Sequence, residues 1–125
     1  MLDQLVEIED DDELYRRVFR YCVTSERVSS AAFKDRRKKP ANRFSVDCAR
    51  LTTPTGSLAR GKPGQLLIGL LALTPRSLGF QVYHDPEHGN FAHCTVEGEN
   101  SPEKCVELSA KSWPVDVPTA ERKPE

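Results

Sequence analysis

The stretch that decides the fold is Phe80-Gln81-Val82-Tyr83-His84-Asp85-Pro86-Glu87-His88-Gly89-Asn90-Phe91-Ala92-His93-Cys94-Thr95-Val96-Glu97-Gly98. Residues 80–84 alternate between apolar and polar side chains, as a strand with one buried face does, and residues 91–98 form a second strand-like run. The segment 85–90 between them contains Pro, Gly and Asn, which favour turns. We therefore predict two antiparallel strands joined by the loop 85–90.

Outward from this hairpin, short strand-like and helix-like segments follow one another along the chain. Residues 14–23 fit either a strand or a helix face, and their β-branched and aromatic content favours a strand. Ser101 and Pro102 have the pattern of a helix cap and first turn. We predict strands at 14–23, 43–49 and 66–73, a helix that starts at 29–33 and stops before Pro40, helical segments at 74–79 and 101–111, and a loop at 52–64.

This order of elements predicts an α+β fold, with one small domain, a mainly antiparallel sheet and a C-terminal helix. The 125 residues suffice for a single hydrophobic core. We expect residues 1–13 to form an acidic N-terminal arm or a short helix, and residues 14–113 to form the domain. Residues 114–125, rich in proline and charge, are expected to be a disordered tail.

The charges are strongly separated along the chain. Residues 15–62 contain 13 Lys and Arg against 3 Asp and Glu, whereas the rest contain 5 against 16. Such asymmetry suggests a phosphate-bearing partner, although the two parts could also neutralise each other within one fold. The densest basic run supplies candidate nucleic-acid-binding residues, namely Arg36, Arg37, Lys38 and Lys39, and nearby aromatic side chains could stack on single-stranded bases unless the core requires them.

The predicted compartment is based on three features: the length of the apolar runs, the charge of the N-terminus and the spacing of the cysteines. The longest apolar run, residues 66–73, is far shorter than the roughly 20 residues that span a bilayer. The N-terminus is acidic and shows no basic segment followed by an apolar one. The four cysteines are widely spaced, which is typical of reduced thiols in a cytosolic protein. We predict a cytoplasmic protein without membrane contact.

All three histidines lie within ten residues of one another, and histidine titrates near neutral pH. In the predicted hairpin, His93 shares a strand face with Phe91 and Thr95, while His84 lies at the loop end of the other strand. We predict His93, His84 and Asp47 as catalytic candidates. His88 is expected to be an exposed loop residue, and His84 could also serve only to cap the turn.

A ligand site is predicted around His93, with the imidazole as acid or base and an arginine holding a phosphate. Asp47 or Asn90 would orient the histidine. The predicted ligand-binding residues are Arg16, Arg17, Ser45, Asn90 and Thr95. This hypothesis requires Arg16, Ser45 and His93 to meet in one concave pocket.

Three resemblances bear on this site. His93-Cys94-Thr95-Val96 resembles the His-x-Thr-aliphatic motif of the 2H phosphoesterases, which act on cyclic phosphates and RNA ends, although that family carries two such motifs and this chain one. Leu14-Tyr15-Arg16 with Phe44-Ser45-Val46-Asp47 resembles ADP-ribosyltransferase-like folds, in which Arg16 and Ser45 would hold NAD, although no matching glutamate follows. The overall pattern over residues 14–113 looks like a group of small bacterial proteins of unknown function, which implies one compact domain.

Two functions therefore stay open. In the first, a small enzyme or nucleotide-handling protein binds a nucleotide or RNA at His93, as a phosphoesterase or transferase. In the second, a non-catalytic accessory module docks a protein partner through its charge-segregated surface. We predict no cofactor. We also predict no metal site, because Pro86 and Gly89 oppose a helix that would align His84 with His88, and adjacent His93 and Cys94 point to opposite strand faces.

Overall fold

The computed structural model describes residues 4–34 and 42–118. The strands are β1 (Glu13–Phe19), β2 (Val23–Thr24), β3 (Arg27–Val28), β4 (Arg43–Cys48), β5 (Gln65–Leu71), β6 (Gln81–His84), β7 (His93–Glu97) and β8 (Trp113–Pro114). The helices are α1 (Pro54–Ala59), α2 (Leu73–Ser77) and α3 (Pro102–Ala110), with 3₁₀ helices at Arg20–Cys22, Ser30–Phe33 and Ala49–Leu51. The predicted α+β class, with an antiparallel sheet and a C-terminal helix, is confirmed.

The main sheet has the strand order β6-β7-β4-β1-β5-β8, and β2 and β3 form a separate hairpin. Neighbouring strands of the sheet are antiparallel. Because side chains alternate between faces along a strand, residues with even numbers in β1, β4, β6 and β7 lie on one face and those with odd numbers on the other. The two faces have very different surroundings.

The even-numbered face carries the main core. Buried side chains from five strands pack there with residues of α3 and of the 3₁₀ helix Ser30–Phe33; they include Leu14, Val18, Phe33, Val46, Cys48, Ile68, Leu70, Val82, Cys94, Val96 and Leu108. The odd-numbered face has a smaller apolar cluster of Tyr15, Leu67 and Val117. The rest of that face, on β4 and β7, is polar and includes Ser45, Asp47, His93 and Thr95.

A fork opens in the middle of the sheet. β1 pairs with β5 along all seven of its residues. Its pairing with β4 covers only Leu14 opposite Cys48 and Tyr15 opposite Asp47. Beyond these pairs β1 and β4 separate, and the side chain of Arg16 spans the gap by donating from Nη1 to the backbone carbonyl of Ser45 at 3.0 Å. The fork therefore exposes side chains from the middle of a sheet.

Three local predictions need correction. The predicted strand 14–23 ends at Phe19, and the 3₁₀ helix Arg20–Cys22 follows it. The predicted loop 52–64 contains α1, because Thr53 Oγ1 accepts the backbone N–H of Gly56 at 3.0 Å and Pro54 occupies the first turn. The second strand of the hairpin begins at His93 and not at Phe91, since the chain turns tightly from Glu87 to Asn90 first. Phe91 consequently packs edge-on against His84, with ring centroids 4.7 Å apart, and does not share a strand face with His93.

The described segments before β1 and after β8 both contact the sheet or its connections. Residues 4–12 contain no helix, and ion pairs from Arg76 to Asp10 and from Arg50 to Asp12 hold this segment. Of the predicted tail, Pro114 pairs with Ile68, and Val117 is buried, while residues 119–125 lie outside the described part. No helix within the described ranges is long and apolar enough to cross a membrane.

Candidate functional site

His93 is buried, with 3 % of its surface exposed, and both of its ring nitrogens have partners. Nδ1 lies 2.6 Å from the backbone carbonyl oxygen of Asp85, and Nε2 lies 3.0 Å from the hydroxyl of Ser45. A carbonyl oxygen can only accept, so Nδ1 carries the proton in the neutral ring. Nε2 is then the acceptor, and the Ser45 hydroxyl donates to it.

Ser45 differs from His93 in being exposed. It lies on β4 directly opposite Thr95 of β7, and both side chains occupy the polar face. Thr95 is buried and donates from Oγ1 to the carboxylate of Asp85 at 2.8 Å. Asp85 is thereby fixed at its side chain by Thr95 and at its carbonyl by His93. The result is a rigid arrangement of Asp85 and His93 behind a hydroxyl that solvent can reach.

Arg16 lies at the fork in a fixed orientation. Its Nε donates to the carbonyl of Ala32 at 2.9 Å, in addition to the bond from Nη1 to Ser45. The guanidinium also lies over the rings of Phe44 and Phe33, at 4.6 and 5.6 Å from their centroids. Such stacking and fork-like hydrogen bonding are characteristic of arginine, and lysine could not reproduce them.

Asp47 and Asn90 do not orient His93, contrary to the prediction. Asp47 is completely buried and accepts hydrogen bonds from Arg17 at 2.8 Å, Ser57 at 2.6 Å and Asn90 at 2.9 Å. The group that orients His93 is the Asp85 carbonyl, which the sequence does not mark because any residue supplies one. Asp47 instead connects β4 to β1 through its ion pair with Arg17, to α1 through Ser57 and to the hairpin loop through Asn90.

His84 also lies away from the candidate site. Its Nδ1 accepts the backbone N–H of Val6 at 2.8 Å, and its Nε2 lies 2.6 Å from the carbonyl oxygen of Phe91. His84 pairs with Cys94 and so lies on the core face of the sheet, opposite the face that carries His93. Both ring nitrogens are used by backbone groups, which gives His84 a structural role. His88 is exposed in the loop.

The fork opens into a cleft of about 1060 Å³. Arg16, Ser45 and His93 all line it, as the ligand-site hypothesis requires. Among the described residues that line the cleft, four are cationic, namely Arg16, Arg17, Lys34 and Arg43, and two are carboxylates, namely Asp85 and Glu87. Cationic side chains therefore outnumber carboxylates among the described residues that line the cleft. Arg17 and Thr95 also line the cleft, whereas Asp47 and Asn90 do not.

Of the aromatic side chains that the sequence places near the basic residues, two are exposed in the cleft and two pack against the core. Phe19 and Tyr21 are 42 % and 59 % exposed, with parallel rings whose centroids are 6.0 Å apart, and both line the cleft. Phe33 and Phe44, by contrast, pack against the core. Each of the four has a basic residue next to it in the sequence, so the sequence does not distinguish the exposed pair from the buried one.

Cys105 lines the same cleft but is a poor nucleophile. Burial raises the pKa of its thiol, outweighing the opposing effect of the Asn100 side chain. The thiolate is the reactive form of cysteine, so a raised pKa keeps Cys105 unreactive near neutral pH. Burial likewise raises the pKa of Cys94 to about 12.

Two further predictions concern other ligands. The basic residues Arg36, Arg37, Lys38 and Lys39 lie outside the described residues. Across residues 4–34 and 42–118, no three His, Cys, Asp or Glu side chains form a group that could hold a metal ion.

No protein-family model matches the chain, and neither a curated protein nor a solved structure is significantly similar to it. The resemblances to 2H phosphoesterases, to ADP-ribosyltransferases and to small bacterial proteins therefore stay predictions. The functional argument depends on the geometry of the cleft alone.

Proposed function

We propose that the cleft binds a phosphate-bearing ligand, a nucleotide or RNA, and that the protein acts on it as a phosphoesterase or transferase. The observation that carries this proposal is the meeting of Arg16, Ser45 and His93 in one cleft. His93 supplies the acid or base, because its Nε2 lies within hydrogen-bond reach of a hydroxyl that borders the cleft.

The charge and the shape of the cleft support a phosphate. Guanidinium groups bind phosphate through charge-assisted, often bidentate hydrogen bonds, and those hydrogen bonds are about twice as strong as neutral ones. Arg16 is held by two carbonyls and two aromatic rings, so little side-chain entropy is lost when a ligand binds. Arg43 and Lys34 add positive charge along the same wall.

The exposed rings of Phe19 and Tyr21 support a nucleotide over a simple phosphate. Stacking of a base on an aromatic side chain contributes about 1–3 kcal/mol and tolerates any base. A cleft that combines arginines with exposed aromatic rings has the two elements with which proteins bind single-stranded nucleic acid. The four buried, unbridged cysteines fit the proposed cytoplasmic location.

The test is ligand binding by thermal shift and calorimetry, with 5′-AMP, inorganic phosphate and a short oligouridylate as probes at low salt. We expect 5′-AMP to raise the melting temperature of the wild type. Arg16→Gln should weaken 5′-AMP binding about tenfold or more, since a hydrogen bond to a charged group contributes about 1.5–3 kcal/mol. Arg27→Gln is the matched control, because Arg27 is an exposed strand arginine outside the cleft.

Tyr21→Ala separates base recognition from phosphate recognition. We expect it to weaken the binding of 5′-AMP and oligouridylate while leaving that of inorganic phosphate unchanged. If none of the three probes binds the wild type at millimolar concentration, or if Arg16→Gln binds as the wild type does, the proposal is wrong. The non-catalytic docking module would then be the better hypothesis.

A further inference from the structure

We propose that Ser45 is a nucleophile that His93 activates, and that the reaction passes through a covalent phosphoseryl ester. The inference rests on the proposed function, because it requires a phosphate ester in the cleft. Its substrate class is a nucleotide ester, in which the phosphorus carries one alcohol leaving group.

The hydrogen-bond chain gives Ser45 its reactivity. The Asp85 carbonyl fixes the proton on Nδ1, which leaves the Nε2 lone pair directed at the Ser45 hydroxyl 3.0 Å away. A nucleophile hydrogen-bonded to a base that a third group orients is the arrangement by which weak hydroxyl nucleophiles are activated. The proton of Ser45 therefore has an acceptor in place before any ligand arrives.

Other hydroxyls near the site lack this combination. Ser57 is completely buried, and its hydroxyl donates to the Asp47 carboxylate at 2.6 Å. Thr95 is buried and donates to Asp85. The hydroxyl of Ser45 alone among these three is both exposed and paired with an imidazole nitrogen.

The step balances with the ester and water as the only reactants. Ser45 Oγ forms a bond to phosphorus as the bond from phosphorus to the leaving oxygen breaks, while the Ser45 proton passes to His93 Nε2. The departing oxygen then takes that proton. In the second half, His93 accepts a proton from water, whose oxygen attacks phosphorus, and the proton returns to Ser45 as its ester is cleaved.

The surroundings stabilise the charges that this step creates. When Nε2 is protonated, the Glu87 carboxylate 3.6 Å away offsets the new positive charge. Arg16, Lys34 and Arg43 line the same cleft and would offset the negative charge of the phosphoryl oxygens. Preorganised charge of this kind is the main way that proteins promote phosphoryl transfer.

The test is labelling with diisopropyl fluorophosphate, followed by intact-protein mass spectrometry and peptide mapping. Attack by Ser45 forms the Oγ–phosphorus bond, expels fluoride and leaves one diisopropylphosphoryl group on the protein. We expect a single label on Ser45, and none on Ser45→Ala. Ser77→Ala is the matched control, because Ser77 is also exposed but donates to the carbonyl of Thr74; it should label as the wild type does.

His93→Asn separates activation from folding. Asparagine can still donate to the Asp85 carbonyl but cannot reach Ser45, so labelling should slow about 100-fold or more while the fold is kept. Equal labelling of His93→Asn and wild type, or a label distributed over several serines, would overturn the inference. If 5′-AMP binds normally but Ser45 is not labelled, the nucleophile is refuted and the binding function stands.

Discussion

His84 and His93 lie on neighbouring strands of one hairpin, yet they have opposite surroundings. His84 faces the core, and backbone groups of Val6 and Phe91 occupy both of its nitrogens. His93 faces the cleft, and one of its nitrogens contacts an exposed side-chain hydroxyl. Residue type is the same in the two cases, and what differs is the face of the sheet. Only His93 has one nitrogen bonded to a backbone group and the other directed at a side chain of the cleft.

Asp47 should have the largest effect on stability, although it lies on the same face as His93. Asp47→Ala leaves the Arg17 guanidinium without its buried partner, which costs about 3–5 kcal/mol. Asp47→Asn keeps the side-chain volume and should cost less. Urea denaturation measures both free energies of unfolding. A loss below about 1 kcal/mol in Asp47→Ala would show that the polar face beside His93 does not depend on this pair.

His84→Ala should affect stability strongly and chemistry little. It leaves the Val6 N–H and the Phe91 carbonyl without their partner and opens a cavity, so we expect a loss of about 2–4 kcal/mol in the free energy of unfolding. Below the melting temperature of the variant, labelling of Ser45 by diisopropyl fluorophosphate should proceed at the wild-type rate. Slower labelling in a folded His84→Ala protein would contradict the assignment of a purely structural role to His84.

His84 holds the segment before β1 at Val6, and Asp12 holds the same segment through its ion pair with Arg50. Asp12→Asn tests this second contact. Burial alone would raise the pKa of Asp12, but hydrogen bonds from Arg50 and the Glu9 N–H, with the Arg50 charge, hold it below its ordinary value. A lowered pKa stabilises the fold above the unfolded-state value of about 3.9 and loses that effect as the pH falls through the folded-state pKa.

We therefore expect Asp12→Asn to lower the free energy of unfolding by about 1 kcal/mol at pH 7. The gap from wild type should close as the pH falls below about 4. Urea titrations of both proteins across this range measure it. A gap that stays constant down to the lowest pH would contradict the assignment to the Asp12 carboxylate. Glu103→Gln is a suitable control, since Glu103 is an exposed carboxylate in the first turn of α3.

Local pattern was enough for much of the fold. The strands around the hairpin and the helix α3 followed from alternation and from the Ser101-Pro102 cap, because both depend on neighbours a few residues apart. The placement of His93 and Thr95 on one strand face followed from the same alternation. The helix α1 was missed because its Thr53-Pro54 cap lies among residues that also favour loops.

What the sequence by itself determined is the α+β class, the hairpin, the capped final helix and the pairing of His93 with Thr95 on one face. Only the tertiary structure decided that β1 and β4 separate after two residue pairs, that Arg16 and Ser45 meet there, and that the Asp85 carbonyl orients His93. Strand alternation is a local property of the backbone. The fork depends on two segments that are about 30 residues apart in the sequence. The hydrogen bond from His93 to the Asp85 carbonyl depends on the geometry of the loop. Neither feature leaves a pattern in side-chain type.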